Sequence, residues 1–419
     1  MNIQLSYGRT GLPVDITLPV DVLRPRHVAG LSDEAGALRA ALRSPIGSAP
    51  LAEQVRVGSR VVIAHSDITR ATPNKRMLPV LLAELEAAGV RRADITLLNA
   101  LGTHRQQTPA ELRAMLGDFV VDSYRCLQHD AYDDSNLVTL GVTSFGHPVR
   151  LNRTLLEADF KILTGFIEPH FFAGFSGGPK CVLPALAGAE SVLTNHGYTM
   201  IADPKATWGV CEGNPIWEEM REMALKVTPA FLLNVALNVD KQITGVFTGD
   251  VVAAHRAGHE FVRQNAMVKV DAPYDVVITT NSGYPLDQNL YQTVKGMSAA
   301  SQIVRPGGAI LMVAGCEDGL PDHGLYAHLL AEAGSPDAIL AMLDRPGFNA
   351  QDQWQVQVQA NIQKKADVYV FSDGLSDEQI CRALFTPSRD VSASVQALAQ
   401  KYGPRICVLP DGPLTIAYL

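Results

Sequence analysis

Apolar and polar positions along this chain fall into short blocks whose period switches repeatedly. Val61–His65 (VVIAH) and the run around Ile95–Leu101 (ITLLNAL) are brief apolar stretches bounded by polar residues, the pattern of strands buried on both faces. Between them, Asn74–Gly89 has a helical period and stops at a glycine. Thr108–Leu116 opens on TPAE, a capping-box signature. Strand, loop, helix, strand is the rhythm of parallel βαβ units. Upstream, the first 50 residues read as a β-rich lead-in followed by a short Ala-rich helix near Asp33–Leu42. Downstream, FKILTGF at 160–166 runs into a Gly-rich loop, and a helix is expected from about Pro184. AFLLNVALNVD (230–240) and QITGVFT (242–248) read as an antiparallel pair, and Gly249–Asn265 as a helix. Val268–Tyr274 looks like a boundary. Beyond it the α/β rhythm restarts with DVVITT, a helix over Asn289–Ile303, AILMVAG, ADVYVFSD and RICVLP. The expected fold class is α/β: two α/β domains, residues 1–271 and 272–419, with ligand loops outside the carboxyl ends of parallel strands.

Composition narrows the class without naming it. Of the 419 residues, 47% are hydrophobic and 19% charged, an ordinary globular balance that excludes a disordered or collagen-like chain. The net charge of −8 argues against nucleic acid or an anionic membrane as the main partner. No window reaches the length of a transmembrane helix. The N-terminal stretch lacks a basic start followed by an apolar run, so a cytoplasmic protein is expected. Six scattered cysteines with no CxxC fit reduced, buried thiols.

The candidate chemistry sits in loops that follow predicted strands. Ser66-Asp-Ile-Thr-Arg70 offers a guanidinium able to clamp a carboxylate or phosphate, with Asp67 able to hold it or to orient a histidine. The same residues read equally as a capped helix start with a surface ion pair. Gly102-Thr-His104-Arg105 places a histidine where a general acid or base could act, or an ordinary polar loop residue. Residues 168–180, EPHFFAGFSGGPK, bring His170, Gly174, Ser176, Gly177, Gly178 and Lys180 together, followed by His196. The loop could cradle a phosphate. It is not a Walker A loop, because Pro179 precedes the lysine and Cys181 replaces the Ser or Thr. Lys180 could hold a cofactor covalently, and the histidines offer acid/base groups or a borderline metal ligand. Tyr291, Gln292 and Lys295 share a helix start with Asp287 and Asn289, and Trp354 lies in the polar stretch QDQWQVQVQ. His255 and His259 have the i, i+4 spacing of a zinc pair but no third ligand, so a solvated face is expected. Cys316 reads as a buried structural thiol. No GxGxxG follows a strand.

The ordered set SDITR, GTHR, EPHFFAGFSGGPK, NH at 195–196, DQNLYQTVKG at 287–296 and Trp354 resembles the nickel-dependent lactate racemase family over nearly the whole chain. The resemblance implies two α/β domains with the active site in the cleft between them. It implies racemisation or epimerisation of a 2-hydroxy acid (lactate, malate or a similar short-chain acid) by hydride transfer to and from a nickel-pincer nucleotide, through a 2-keto acid. By resemblance Lys180 carries that pyridinium-3,5-bisthiocarboxylic acid mononucleotide covalently, His196 binds the nickel, and the Gly174–Gly178 loop with Ser176 binds the cofactor. His104 and His170 would be the acid/base pair with Asp67 behind the first of them. Arg70 would bind the substrate carboxylate, with Tyr291, Gln292, Lys295 and Trp354 lining the pocket. Cofactor-building enzymes are the implied protein partners, and self-association stays open. Two other readings stand beside it: a lysine Schiff-base or metal-dependent lyase, and a nickel or cofactor carrier that would not need both histidines.

Overall fold

The computed structural model describes residues 1–321 and 324–419. Two six-stranded sheets organise it. In the first, β1 is Val61–Ser66, β2 Ile95–Ala100, β3 Arg125–Gln128, β4 Phe160–Phe166, β5 Ala230–Leu237 and β6 Ile243–Gly249. Their order is β6-β5-β4-β1-β2-β3. Every neighbour is parallel except the edge pair β5–β6, which is antiparallel, as the sequence pattern indicates. In the second sheet β7 is Tyr274–Thr279, β8 Val304–Val313, β9 Ala366–Phe371, β10 Thr386–Ser388 and β11 Ile406–Leu409. It runs β10-β9-β8-β7-β11, and the two-residue strand Asp21–Val22 closes its edge beside β11.

The central strands are buried along their full length because helices cover both faces, which is why they read as continuous apolar runs rather than alternations. Ile63, Leu97, Ile162 and Leu233 are fully buried. They pack with Leu78, Leu81 and Leu85 of the Asn74–Ala87 helix in one core. Val276, Ile278, Leu311 and Val408 form a separate core with Val395 and Leu398. The Thr108 capping box forms as its motif indicates, with Thr108 and Glu111 satisfying each other's backbone N–H.

The compact units are not contiguous in sequence. One holds Met1–Arg26, His196–Pro204 and Asn265–Leu419; the other holds His27–Asn195 and Lys205–Gln264. The stretch around Val268 is itself structured, since Met267–Lys269 pairs in parallel with Ile416–Tyr418. The helix expected from Pro184 begins at Ala189 instead. Pro184 has no N–H and disfavours a helical residue before it, so residues 182–186 form successive turns. No helix among the described residues is long and apolar enough to cross a membrane.

Leu81→Ala should lower the unfolding free energy of its unit by about 2–5 kcal/mol, since the cavity it leaves is enclosed by core side chains. A denaturant midpoint equal to wild type would show that this helix does not depend on that core.

Candidate active site

Three of the loops singled out in the sequence leave adjacent parallel strands at the same edge. SDITR follows β1, GTHR follows β2, and the Gly-rich loop follows β4, with β1 between the other two. The loops are stitched together. Gly102 N–H donates to the Ala185 carbonyl at 2.9 Å, tying GTHR to the segment after Lys180. A Cβ on Gly165, at the end of β4, would meet Ser66 Oγ at 3.8 Å and Gly177 Cα at 3.9 Å.

Asp67 is buried and accepts from His104 Nδ1 at 2.5 Å. Its other oxygen accepts from the Thr69 hydroxyl at 2.7 Å and the Thr69 N–H at 3.2 Å. Burial alone would raise the Asp67 carboxyl. The His104 hydrogen bond and charge, Arg70 and Thr69 together outweigh it and hold the group below the ordinary carboxylate range. An ionised carboxylate only accepts, so His104 carries a proton on Nδ1. In the neutral ring Nε2 is then bare and able to take a proton. The His104 side chain is 48% exposed, so that nitrogen is within reach of a ligand. Among the described residues no carboxylate lies within ion-pair distance of the Arg70 guanidinium, although its charge helps hold Asp67 ionised.

His170 is placed the other way. It is buried, and its Nδ1 accepts from the Ala173 N–H at 3.3 Å, which leaves the proton on Nε2. Its ring lies 4.6 Å from Phe172, edge to face. Lys180 Nζ sits 5.6 Å from the centroid of the same Phe172 ring, so one aromatic side chain joins the histidine and the lysine. Lys180 stands on a single tight turn, Gly178–Cys181. Gly177 and Gly178 both have φ in the left-handed region, +74° and +52°, which glycine adopts at no steric cost.

His196, Tyr291, Gln292, Lys295 and Trp354 belong to the other unit. The buried His196 ring meets Trp354 edge to face at 5.4 Å. Trp354 Nε1 donates to the Tyr291 hydroxyl at 3.2 Å. Asn289 caps the Leu290–Ser301 helix through the Gln292 N–H, at 3.1 Å. Gln292 and Lys295 lie on this helix one turn apart. Asp287 is buried and accepts from the Gly8 and Gly315 N–H groups at 2.7 and 2.9 Å, pinning the helix entry.

Family models for the lactate racemase N-terminal and C-terminal domains match residues 7–209 and 269–416. The chain is 35% identical over 421 residues to the lactate racemase of Thermoanaerobacterium thermosaccharolyticum, covering 98% of both chains. It is 38% identical over 376 residues to the lactate racemase of Lactiplantibacillus plantarum, covering 88% of each. The chain belongs to the lactate racemase family. With that family it is an isomerase, a racemase. Its structure matches the lactate racemase apoprotein of T. thermosaccharolyticum over the whole of both chains, with a TM-score of 0.93 at 34% identity. A Thermotoga maritima protein at 18% identity and a TM-score of 0.71 shares the fold.

In this lactate racemase family member the His255–His259 pair is a correction to the sequence reading. Both rings are buried rather than on a solvated face. Charged residues on either side of them in sequence hide the apolar stripe to which they belong. In the polar QDQWQVQVQ stretch Gln353, Gln355, Gln357 and Gln359 are all buried. Gln353 donates to the His196 carbonyl at 3.3 Å and Gln355 to the Tyr291 carbonyl. Neither glutamine, nor Phe172, stood out in the sequence. The one available signal was the regular recurrence of glutamine along a helical segment. Cys316 is fully buried, as expected, and its thiol is pushed up to about 12 by burial.

Buried histidines set the acid sensitivity of the fold. Burial pushes His65 and His255 down to about 4 and His259 to about 3. The unfolded chain takes up protons near pH 6.5 that these rings refuse, so stability should fall as pH drops from about 6.5 to 4. Asp67 acts in a lower window: its contribution is present above the ordinary carboxylate pKa and is lost as pH falls through its depressed folded value. Urea midpoints against pH should show the upper slope, and His65→Asn should flatten part of it. A flat profile between pH 6.5 and 4 would contradict the burial of these rings.

Proposed function

We propose that this chain interconverts the enantiomers of a short 2-hydroxy acid, lactate first, with a nickel-pincer nucleotide held on Lys180. The opposite proton placements on His104 and His170 carry the reading. A racemase must work from either enantiomer, so it needs one group ready to accept a hydroxyl proton and another ready to donate one. His104 with a bare Nε2 and His170 with a protonated Nε2 are such a pair. The relatives named as lactate racemases support the substrate class.

The residues fit the cofactor. Lys180 is partly exposed and lies beside the same phenylalanine as His170. Among the described residues no cluster of three His, Cys, Asp or Glu side chains forms a metal site. A metal at His196 would therefore take its other donors from a bound group, and imidazole is a borderline donor suited to nickel. When bound, that group supplies an electron-poor carbon that accepts hydride from the substrate.

The chain's own residues do the rest. The Arg70 fork holds the substrate carboxylate through two parallel hydrogen bonds. His104 Nε2 takes the hydroxyl proton, and the buried Asp67 carboxylate stabilises the imidazolium that results. His170 Nε2–H would return a proton to the oxygen of the other enantiomer. For the opposite enantiomer His170 would need Nε2 bare with its proton on Nδ1, off the Ala173 N–H, and His104 would need to start as the imidazolium. A dicarboxylate such as malate would want a further cation; of Arg105, Lys75 and Arg76, Arg105 is paired with Glu111 and Arg76 with Glu34, both at 2.7 Å, which leaves Lys75 as the candidate.

The deciding experiment makes the protein alongside cofactor-building enzymes and measures intact mass, nickel content and chiral conversion of L- and D-lactate. A mass increase mapping to Lys180, about one nickel per chain and racemised lactate are expected. Bare polypeptide without nickel would move the lyase and carrier readings ahead. His104→Ala and His170→Ala should each cut turnover on the order of 10²–10⁴-fold with nickel retained; loss of nickel would mean the ligand is misassigned. Arg70→Lys should raise KM about tenfold or more, since a fork becomes a point charge. Unchanged kinetics would place Arg70 away from the substrate.

A further inference from the structure

The loop that carries Lys180 is gripped by two fully buried polar side chains that belong to no part of the mechanism above. Asn234, on β5, accepts from the Gly178 N–H at 2.7 Å. His255, on the Val251–Ala266 helix, has Nε2 2.9 Å from the Ser176 carbonyl. The two contacts fall on either side of Gly177, within four residues of Lys180.

The polar groups of Ser176 are otherwise spoken for. Its N–H donates to the Glu168 carbonyl at 2.8 Å, and its hydroxyl bridges the Glu168 N–H and the Phe166 carbonyl, both at 3.0 Å. Its carbonyl is the group that His255 takes. A carbonyl only accepts, so His255 carries its proton on Nε2, and Nδ1 is bare and without a partner in the interior. An apolar ring would fill this space without burying an unsatisfied nitrogen, which is destabilising. The donor is the feature such a ring lacks.

Shape supports the same contact. A Cβ on Gly178 would lie 2.5 Å from His255 Cγ, so the ring rests directly on the loop backbone. A Cβ on Gly177 would lie 2.4 Å from Asn234 Oδ1. Trp217 and His259 both stack on His255, at 6.3 and 5.4 Å between centroids and 16° and 22° between planes. Phe175 abuts His259 edge on at 5.2 Å. The imidazole has little freedom to turn its Nε2–H elsewhere.

We propose that His255 and Asn234 are positioning residues for Lys180: their two hydrogen bonds fix the Ser176–Gly178 backbone and thereby set where the lysine amine is presented. This rests on the reading of Lys180 as the cofactor-bearing residue. The two glycines of the loop are then explained by what presses on them, because any side chain at either position would displace a clamp.

The test compares His255→Gln, which keeps a side-chain N–H near the Nε2 position, with His255→Phe, which keeps a ring and loses the donor. Asn234→Leu is the second donor–acceptor deletion and serves if the Phe variant does not fold. All are made alongside the cofactor-building enzymes and read by intact mass and by amide exchange of residues 174–182. The Phe and Leu variants should carry the Lys180 adduct on about tenfold fewer chains, and the Gly178 amide should exchange about tenfold faster, with β4 exchange unchanged. His255→Gln should load within roughly twofold of wild type, a rescue that packing alone would not produce. Phe or Leu variants that load and exchange like wild type overturn the proposal. If wild type itself gains no mass, the cofactor reading fails. Loop exchange then decides the clamp alone: faster exchange confined to 174–182 supports it, and unchanged exchange overturns it.

Discussion

A parallel strand pair cannot be closed by a tight turn; each connection must cross back over the sheet, and all carboxyl ends emerge at one edge. Everything distinctive about this chain depends on that constraint. β4, β1 and β2 are neighbours, so the three loops with the reactive side chains leave from adjacent points although they begin at residues 66, 102 and 168. The sheet does the gathering, and the loops are free to differ in chemistry. Asp67 comes from one loop and His104 from the next, and their hydrogen bond exists because β1 and β2 pair in register from Val61–Ile95 to Ser66–Ala100.

The two histidines show how much of a site is backbone work. Neither ring chooses its tautomer. A buried carboxylate fixes one, and a main-chain N–H fixes the other. The Asp67 carboxylate survives in the interior because it accepts from three donors, which is the usual condition for a buried charge. On the proposed reading, unlike supports under like side chains give the two rings their opposite proton placements.

Much of this was legible in the sequence, and what was not has physical reasons. The buried strands announced themselves because each is a short apolar run between polar loops, and the Thr108 capping box and the β5–β6 pair were equally plain. Asp67, His104, His170 and Lys180 stood out because their motifs recur in one order along the chain; taken singly, Asp67 and His104 read equally as ordinary loop residues. The buried faces of polar helices were hidden. His255 and the glutamines of 353–359 look solvated in one dimension and become interior only when a second element covers them. The edge strand Asp21–Val22 was invisible too: two residues carry no period, and the partner Ile406–Leu409 is supplied from the other end of the chain.

That last pairing has a consequence for how the molecule is made. Ser6 Oγ donates to Asp411 across 405 sequence positions, and the Asn2–Leu5 hairpin strand packs its Ile3 and Leu5 into the core of the C-terminal sheet. During synthesis the unit running from His27 to Gln264 has all its strands once Gly249 has emerged. Residues 1–26 can pair only with each other, Asn2–Leu5 against Leu12–Asp15, until the strand Ile406–Leu409 has been made. Until then they are a lone hairpin with Ile3 and Leu5 uncovered, and the unit they complete closes after the other has all its strands.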